Sequence, residues 1–244
     1  MQESMTKHRG AKTFYKNSML IVLSAIFISV VLFGTIIGIS LKTKKYLFAS
    51  GQTLYAYYTA FCDSSAVAEA ESANQKDLGG AGYVYSQQGY YVCAFIYTNR
   101  EDAESVCRKN AGGGIVEIKT QIMSQKLQKM VKNNENWLNM IHLIEDGFNA
   151  LRQVAIDSDL ENLSDAEVFS RIFVWLEKAN DLSYKFSKTD DVMNEICDLL
   201  IFDLKNFIAS SGTMPQRSSG LKGLCFKMIE LYNLSVSCLE GTIN

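Results

Sequence analysis

Histidine and proline are nearly absent from this sequence. Among 244 residues there are two histidines, His8 and His142, and one proline, Pro215. The sequence therefore offers too few ligands for a zinc site built from cysteine and histidine. In addition, no two cysteines form a Cys-x-x-Cys pair. Since proline interrupts helices, its scarcity predicts a helix-rich protein without proline-rich linkers.

Groups that could carry out catalysis are also few. Covalent catalysis needs a nucleophile beside a base, but His142 lies in a helical stretch between apolar neighbours, which is typical of a packed or surface residue. Glu145 and Asp146 point about 100° apart on a helix, so they do not form the facing carboxylate pair of a glycosidase. The run Ala111–Gly114 lacks the Lys-Ser/Thr ending of a phosphate-binding loop. We therefore expect no catalytic site, no metal and no cofactor, and an enzyme is the least favoured class.

Charge excludes a further class of function. The chain has 24 basic and 26 acidic residues, a net charge of −2. Nucleic-acid-binding domains usually carry a basic surplus, so we expect no nucleic-acid partner.

The six cysteines leave two interpretations open. An exported domain could pair them in disulfides, whereas isolated cysteines at apolar positions usually behave as small buried hydrophobic residues. They are Cys62, Cys93, Cys107, Cys197, Cys225 and Cys238.

The stretch Asn17–Leu41 contains no charged residue, no histidine and no proline. It is long enough for a transmembrane helix, which needs about 20 apolar residues. A cleaved signal peptide is the rival interpretation, but its apolar core would be shorter and Leu41–Lys45 is a poor cleavage site. We expect a retained helix at 17–41, a cytoplasmic tail at 1–16 and a long C-terminal region outside the cytoplasm, because such regions translocate largely regardless of flanking charge.

Gly34 and Gly38 form a G-x-x-x-G pattern inside this stretch. Small residues four apart let two membrane helices approach closely and would allow a homodimer. Glycine is also simply common in such helices, so both interpretations stay open.

Residues 52–119 alternate between strand and helix patterns. The strands are predicted at 54–61, 82–86, 90–97 and 115–118, with helices at 64–76 and from Thr98 or Asn99 to Lys109. Asp63 or Ser64 would cap the first helix. The resulting β-α-β-β-α-β order predicts a ferredoxin-like domain.

Alternation along two of these strands separates aliphatic from aromatic side chains. One side would carry Ala56, Tyr58, Ala60, Val92, Ala94 and Ile96. The other would carry Tyr55, Tyr57, Thr59, Phe61, Tyr91, Cys93, Phe95 and Tyr97. The aliphatic side suits a core beneath the helices, and the aromatic side would then be the open face.

Residues 120–244 follow a helical pattern throughout. We expect a capping box at Ser164–Glu167 and a cap for another helix at Thr189-Asp190. We expect a loop at 212–220, which contains Pro215, and the last helix at 224–239. The fold class is therefore predicted to be α+β, with a single transmembrane helix, a ferredoxin-like domain and then an all-α helical bundle.

Two motifs in 52–119 resemble the SPOR domain of bacterial division and sporulation proteins. They are Tyr55–Phe61, and Tyr90–Ala103 with its acidic helix start. Departures from the family pattern occur at Tyr57, Thr59 and Phe95.

The resemblance implies a non-catalytic membrane protein that binds peptidoglycan glycan strands through an exposed sheet face. Aromatic rings would stack on the sugars and two glutamines would hydrogen-bond at the edge. The implied glycan-binding residues are Tyr55, Tyr57, Phe61, Tyr91, Phe95, Tyr97, Gln87 and Gln88. The alternative is a membrane-anchored interaction or scaffold protein whose bundle, 120–244, binds a protein partner and covers these aromatics.

Overall fold

The computed structural model describes Phe48 and residues 50–110, 112–210 and 212–243. The strands are β1 (Thr53–Cys62), β2 (Tyr83–Ser86), β3 (Tyr90–Tyr97) and β4 (Gly114–Lys119). The helices are α1 (Ser65–Asp77), α2 (Arg100–Lys109), α3 (Gln125–Asn133), α4 (Glu135–Asp159), α5 (Asp165–Phe186), α6 (Asp191–Ser210) and α7 (Met214–Ile243).

The four strands form one antiparallel sheet in the order β2-β3-β1-β4. The two central strands, β1 and β3, pair from Tyr55 with Tyr97 at one end to Cys62 with Tyr90 at the other. Helices α1 and α2 connect β1 to β2 and β3 to β4, and both pack on the central strands.

The pairing of β1 with β3 is irregular in the middle. The register shifts between Tyr57 and Tyr58 and again between Tyr58 and Ala60. Such irregularities interrupt the strict alternation of sides along a strand. Ala56 belongs to the main core, and Ala60 packs with Val92 in a separate small cluster under α1.

Side-chain caps explain where several helices begin. Ser64 accepts a backbone N–H from the first turn of α1, and Asn99 accepts one from the first turn of α2. The sequence predicts Asp63 or Ser64 as the first cap and Thr98 or Asn99 as the start of the second helix, and the structure shows Ser64 and Asn99. The capping box predicted at Ser164–Glu167 is confirmed at the start of α5. Asp190 accepts the Met193 N–H at 3.1 Å and so caps α6.

The predicted loop at 212–220 is wrong, because α7 already begins at Met214. Pro215 is the second residue of this helix, and the first turn tolerates proline because its missing N–H would have had no intrahelical partner there. The proline therefore marks the start of the last helix rather than a loop before it.

One continuous core joins the sheet to the long helices. Phe48 is fully buried and its ring makes edge contacts with Phe148 of α4 at 5.4 Å and Tyr232 of α7 at 5.0 Å between centroids. Tyr83 of β2 stacks on Phe226 of α7 at 4.3 Å. The side of the sheet opposite α1 is therefore packed against helices of the C-terminal half.

The predicted fold class is wrong. The described residues form seven helices and one small antiparallel sheet around a shared core, and none of these helices is both long and apolar enough to cross a membrane. Periodicity identifies elements but does not show which faces meet, so it could not show that the sheet packs on the long helices. The segment 17–41 with Gly34 and Gly38, and the tail 1–16, lie outside the described residues.

All six cysteines are free, and four of them are buried. Burial raises the pKa of Cys197 and of Cys225 to about 12 in each case. These thiols therefore have the surroundings of small hydrophobic residues.

Candidate functional site

The eight predicted glycan-binding residues do not form a single open surface. Tyr57 and Phe95 are each only 6% exposed. Tyr55, Tyr91 and Tyr97 are half-buried, while Phe61, Gln87 and Gln88 are exposed. The structure divides this set into two groups at different places on the sheet.

The first group lies at the beginning of β1 and the end of β3. Tyr57 is paired with Phe95 across the central strands, and its hydroxyl donates to the Gly112 carbonyl at 3.2 Å. Phe95 and Tyr97 make an edge contact at 5.1 Å. Burial, with a smaller effect of the Cys107 thiol, raises the pKa of Tyr57. These rings are packed in the protein and do not form an open platform.

The second group is an aromatic ladder at the end of the central strands, formed by Tyr58, Tyr91 and Phe61. Tyr91 contacts Tyr58 at 5.0 Å and Phe61 at 4.9 Å between ring centroids. Phe61 is the outermost ring and is 49% exposed. The ladder therefore runs from partly buried Tyr58 out to the surface.

The β2–β3 turn lies beside the outer end of the ladder. The Phe61 ring is placed over Gly89, where any Cβ atom would collide with ring carbons. The Gln87 N–H donates to the Gly89 carbonyl at 2.9 Å, and the side chains of Gln87 and Gln88 are exposed. An exposed ring and two amides are thus available on the same corner of the molecule.

Tyr58 is the ladder residue that the sequence analysis missed. Strict alternation from Ala56 put it on the aliphatic side, but the register shift next to it brings its ring against Tyr91. The sequence contains no signal for this shift, because an irregularity of pairing depends on both strands together.

The carboxylates considered for glycan cleavage have separate surroundings. Glu145 is 5% exposed and accepts the Phe48 N–H at 2.9 Å. Asp146 lines a cleft of about 270 Å³ between α4 and α5 together with His142 and Trp175. The two carboxylates therefore do not face each other across one substrate site.

Metal binding needs several ligand side chains in one place. In the part of the chain that the structure describes, no group of three or more His, Cys, Asp or Glu side chains is placed to hold a metal ion.

The chain was compared with protein-family models, with curated proteins and with solved structures, and no match was found in any of the three. The likeness to SPOR domains consequently stays a prediction from the two motifs.

Proposed function

We propose that this protein is a non-catalytic carbohydrate-binding protein that holds peptidoglycan glycan strands at the aromatic ladder during cell division or sporulation. The observation that carries the proposal is the half-exposed Phe61 ring, held against Tyr91 beside the exposed amides of Gln87 and Gln88. The likeness of Tyr55–Phe61 and Tyr90–Ala103 to SPOR motifs supports the choice of glycan.

The chemistry of the ladder suits a sugar ring. Sugars present flat faces of C–H groups as well as hydroxyls, and binding sites for small molecules combine apolar walls with a few polar groups. Phe61 supplies an apolar face, while the side-chain amides of Gln87 and Gln88 can both donate and accept hydrogen bonds.

The Phe61 ring is also in contact with its neighbours on two sides before any ligand arrives. Tyr91 supports Phe61 from one side, and Gly89 lies beneath the ring. A ring already held in place loses little rotamer freedom on binding, so more of the contact energy remains as affinity.

Sedimentation of the full chain with purified peptidoglycan sacculi tests the proposal. The Phe61→Ala variant is expected to bind about tenfold more weakly, because one central aromatic anchor contributes on the order of 1–2 kcal/mol. Phe173→Ala is the matched control, since Phe173 is a phenylalanine of α5 with 48% exposure. Sacculi with and without stem peptides show which form of the polymer is bound.

Equal binding by wild type and Phe61→Ala, with both shown to be folded by circular dichroism, would refute a site at the ladder. A wild-type chain that does not sediment with either form of sacculi would refute peptidoglycan binding as a whole.

A protein-interaction scaffold is the second candidate function. It is favoured by large apolar side chains exposed on α5 and α6, such as Tyr184 at 66% and Phe202 at 61%. Val192, Leu199 and Phe202 are seven and then three residues apart, so they share one face of α6. The exposed side chains of the two helices are Phe173, Val174, Tyr184, Val192, Leu199 and Phe202.

A second copy of the chain is the first partner to test for this face. Self-association would appear in sedimentation equilibrium as a rise of the average mass with concentration, and Phe202→Ser should reduce it. A mass independent of concentration would exclude the second copy as the partner.

A further inference from the structure

A cleft of about 400 Å³ lies apart from the aromatic ladder, between β3, α2 and the C-terminal half of α4. We call it the α2–α4 cleft. Its volume falls within the range of small-molecule sites in proteins. The lining residues are Phe95, Tyr97, Asp102, Ser105, Val106, Arg152, Ile156, Asp159 and Leu160.

Apolar groups make up most of the wall. The rings of Phe95 and Tyr97 meet at 82°, with 5.1 Å between their centroids, and form a corner. Ile156 and Leu160 of the α4 end complete the wall, and Leu160 is largely exposed. A flat or chair-shaped ring of a ligand would find apolar contact on more than one side.

Arg152 is the basic group of the cleft, and one of its hydrogen-bond donors is unsatisfied within the described residues. Its Nε is buried and has no hydrogen-bond partner among the described residues. Buried donors are nearly always satisfied in proteins, so an unsatisfied one calls for an explanation. The guanidinium fork binds a carboxylate through two parallel hydrogen bonds more strongly than it binds a neutral acceptor.

The two acidic side chains of the cleft are already engaged. Asp159 forms an ion pair with Lys222 of α7 at 2.7 Å and accepts the Ser218 hydroxyl at 2.6 Å. Asp102 accepts the Asn99 side-chain amide at 2.6 Å in the first turn of α2. Neither carboxylate forms an ion pair with Arg152 within the described residues, and together they disfavour a second negative charge on a ligand.

We propose that the α2–α4 cleft binds a small ring-bearing monocarboxylate, with the carboxylate on Arg152 and the ring in the corner of Phe95 and Tyr97. A sugar acid and an aromatic acid share this chemistry. The proposal concerns a site separate from the aromatic ladder and does not depend on glycan binding there.

Isothermal titration calorimetry of the full chain can distinguish the two sources. The probes are glucuronate, with glucose as its uncharged partner, and phenylacetate, with phenylacetamide as its uncharged partner. We expect one acid to bind at least tenfold more tightly than its neutral partner, because a hydrogen bond to a charged group contributes more than one to a neutral group. Backbone NMR shifts at Ser105 and Leu160 would place the ligand in the cleft.

The Arg152→Met variant should lose about tenfold or more in affinity for the acid and should no longer prefer it over the neutral partner. Arg171→Met is the matched control, because Arg171 is an exposed arginine of α5 that does not line the cleft. The Phe61→Ala variant should bind the acid as wild type does, which separates this site from the ladder.

Two results would overturn the proposal. One is the absence of heat and of NMR shifts at the cleft with either acid. The other is binding that Arg152→Met and Arg171→Met weaken equally, since that would indicate a non-specific effect of charge.

Discussion

Lys222 holds the start of α7 against two other elements, and its removal should destabilise the protein measurably. Its ammonium forms an ion pair with Asp159 at 2.7 Å and donates to the Gly79 carbonyl at 2.9 Å. The Lys222 side chain is 15% exposed and that of Asp159 is 37% exposed. The Ser218 hydroxyl lies within hydrogen-bond distance of the same two acceptors and can donate to either one, so this cluster connects α7 with the ends of α1 and α4.

The variant Lys222→Met keeps most of the aliphatic stem and removes the charge. Hydrogen bonds to a charged group contribute about 1.5–3 kcal/mol. We discount this range for the partial exposure of Asp159, because solvent weakens exposed ion pairs. The free energy of unfolding should therefore fall by about 2 kcal/mol, which corresponds to a decrease in Tm of about 4–8 °C for a folded unit of this size.

Urea unfolding of the full chain, followed by circular dichroism, measures this change. Lys227→Met is the matched control, because Lys227 also forms a 2.7 Å ion pair, with Glu230, but both partners are more than 40% exposed. The control should change stability by about 0.5 kcal/mol or less. Equal effects of the two variants would show that the Lys222 cluster has no special role in joining the elements.

Three further predictions follow from individual groups. Gly89→Ala should displace the Phe61 ring and weaken its contact with Tyr91, because a Cβ would collide with the ring and φ at Gly89 is +144°. The expected result is the loss of the NMR ring-current shifts between Phe61 and Tyr91, and unchanged shifts would contradict the prediction. Ser164→Ala should remove the cap of α5 and cost about 1 kcal/mol in urea unfolding, and an unchanged midpoint would contradict this role. Because burial raises the pKa of Cys197 and Cys225 from 9.0 to about 12, the unfolded state releases protons first and the free energy of unfolding should fall as pH rises from about 9 to 12. Replacing both residues with alanine should flatten this part of a urea-unfolding profile against pH, and an unchanged slope would contradict the assignment.

Local patterns in the sequence identify most elements of the α/β segment correctly. The predicted strand at 90–97 coincides with β3, and the capping residues Ser64 and Asn99 begin α1 and α2 as expected. These features depend on a few neighbouring residues, since a cap acts within one helical turn and alternation within one strand.

Features that depend on pairs of elements could not be predicted in the same way. The sides of β1 are predicted by alternation alone, and the irregular pairing at Tyr58 makes that prediction wrong for Tyr58, whose ring contacts Tyr91. The packing of Tyr83 on Phe226 joins residues far apart in sequence, and no periodicity within β2 or α7 indicates it.

The size of the sheet explains why its aromatic residues have two different roles. Four short strands with two helices on one side would leave the other side open to water, and a unit of this size buries too little apolar surface to be very stable alone. Packing α7 against that side places Tyr83 in contact with Phe226. Phe61, at the far end of β1, stays 49% exposed. Tyr91 connects the two environments, because it packs against the main core and also contacts Phe61. A ring held in this way from the core can keep an apolar face in water without collapsing onto the surface, which is what the proposed contact with the flat face of a sugar requires.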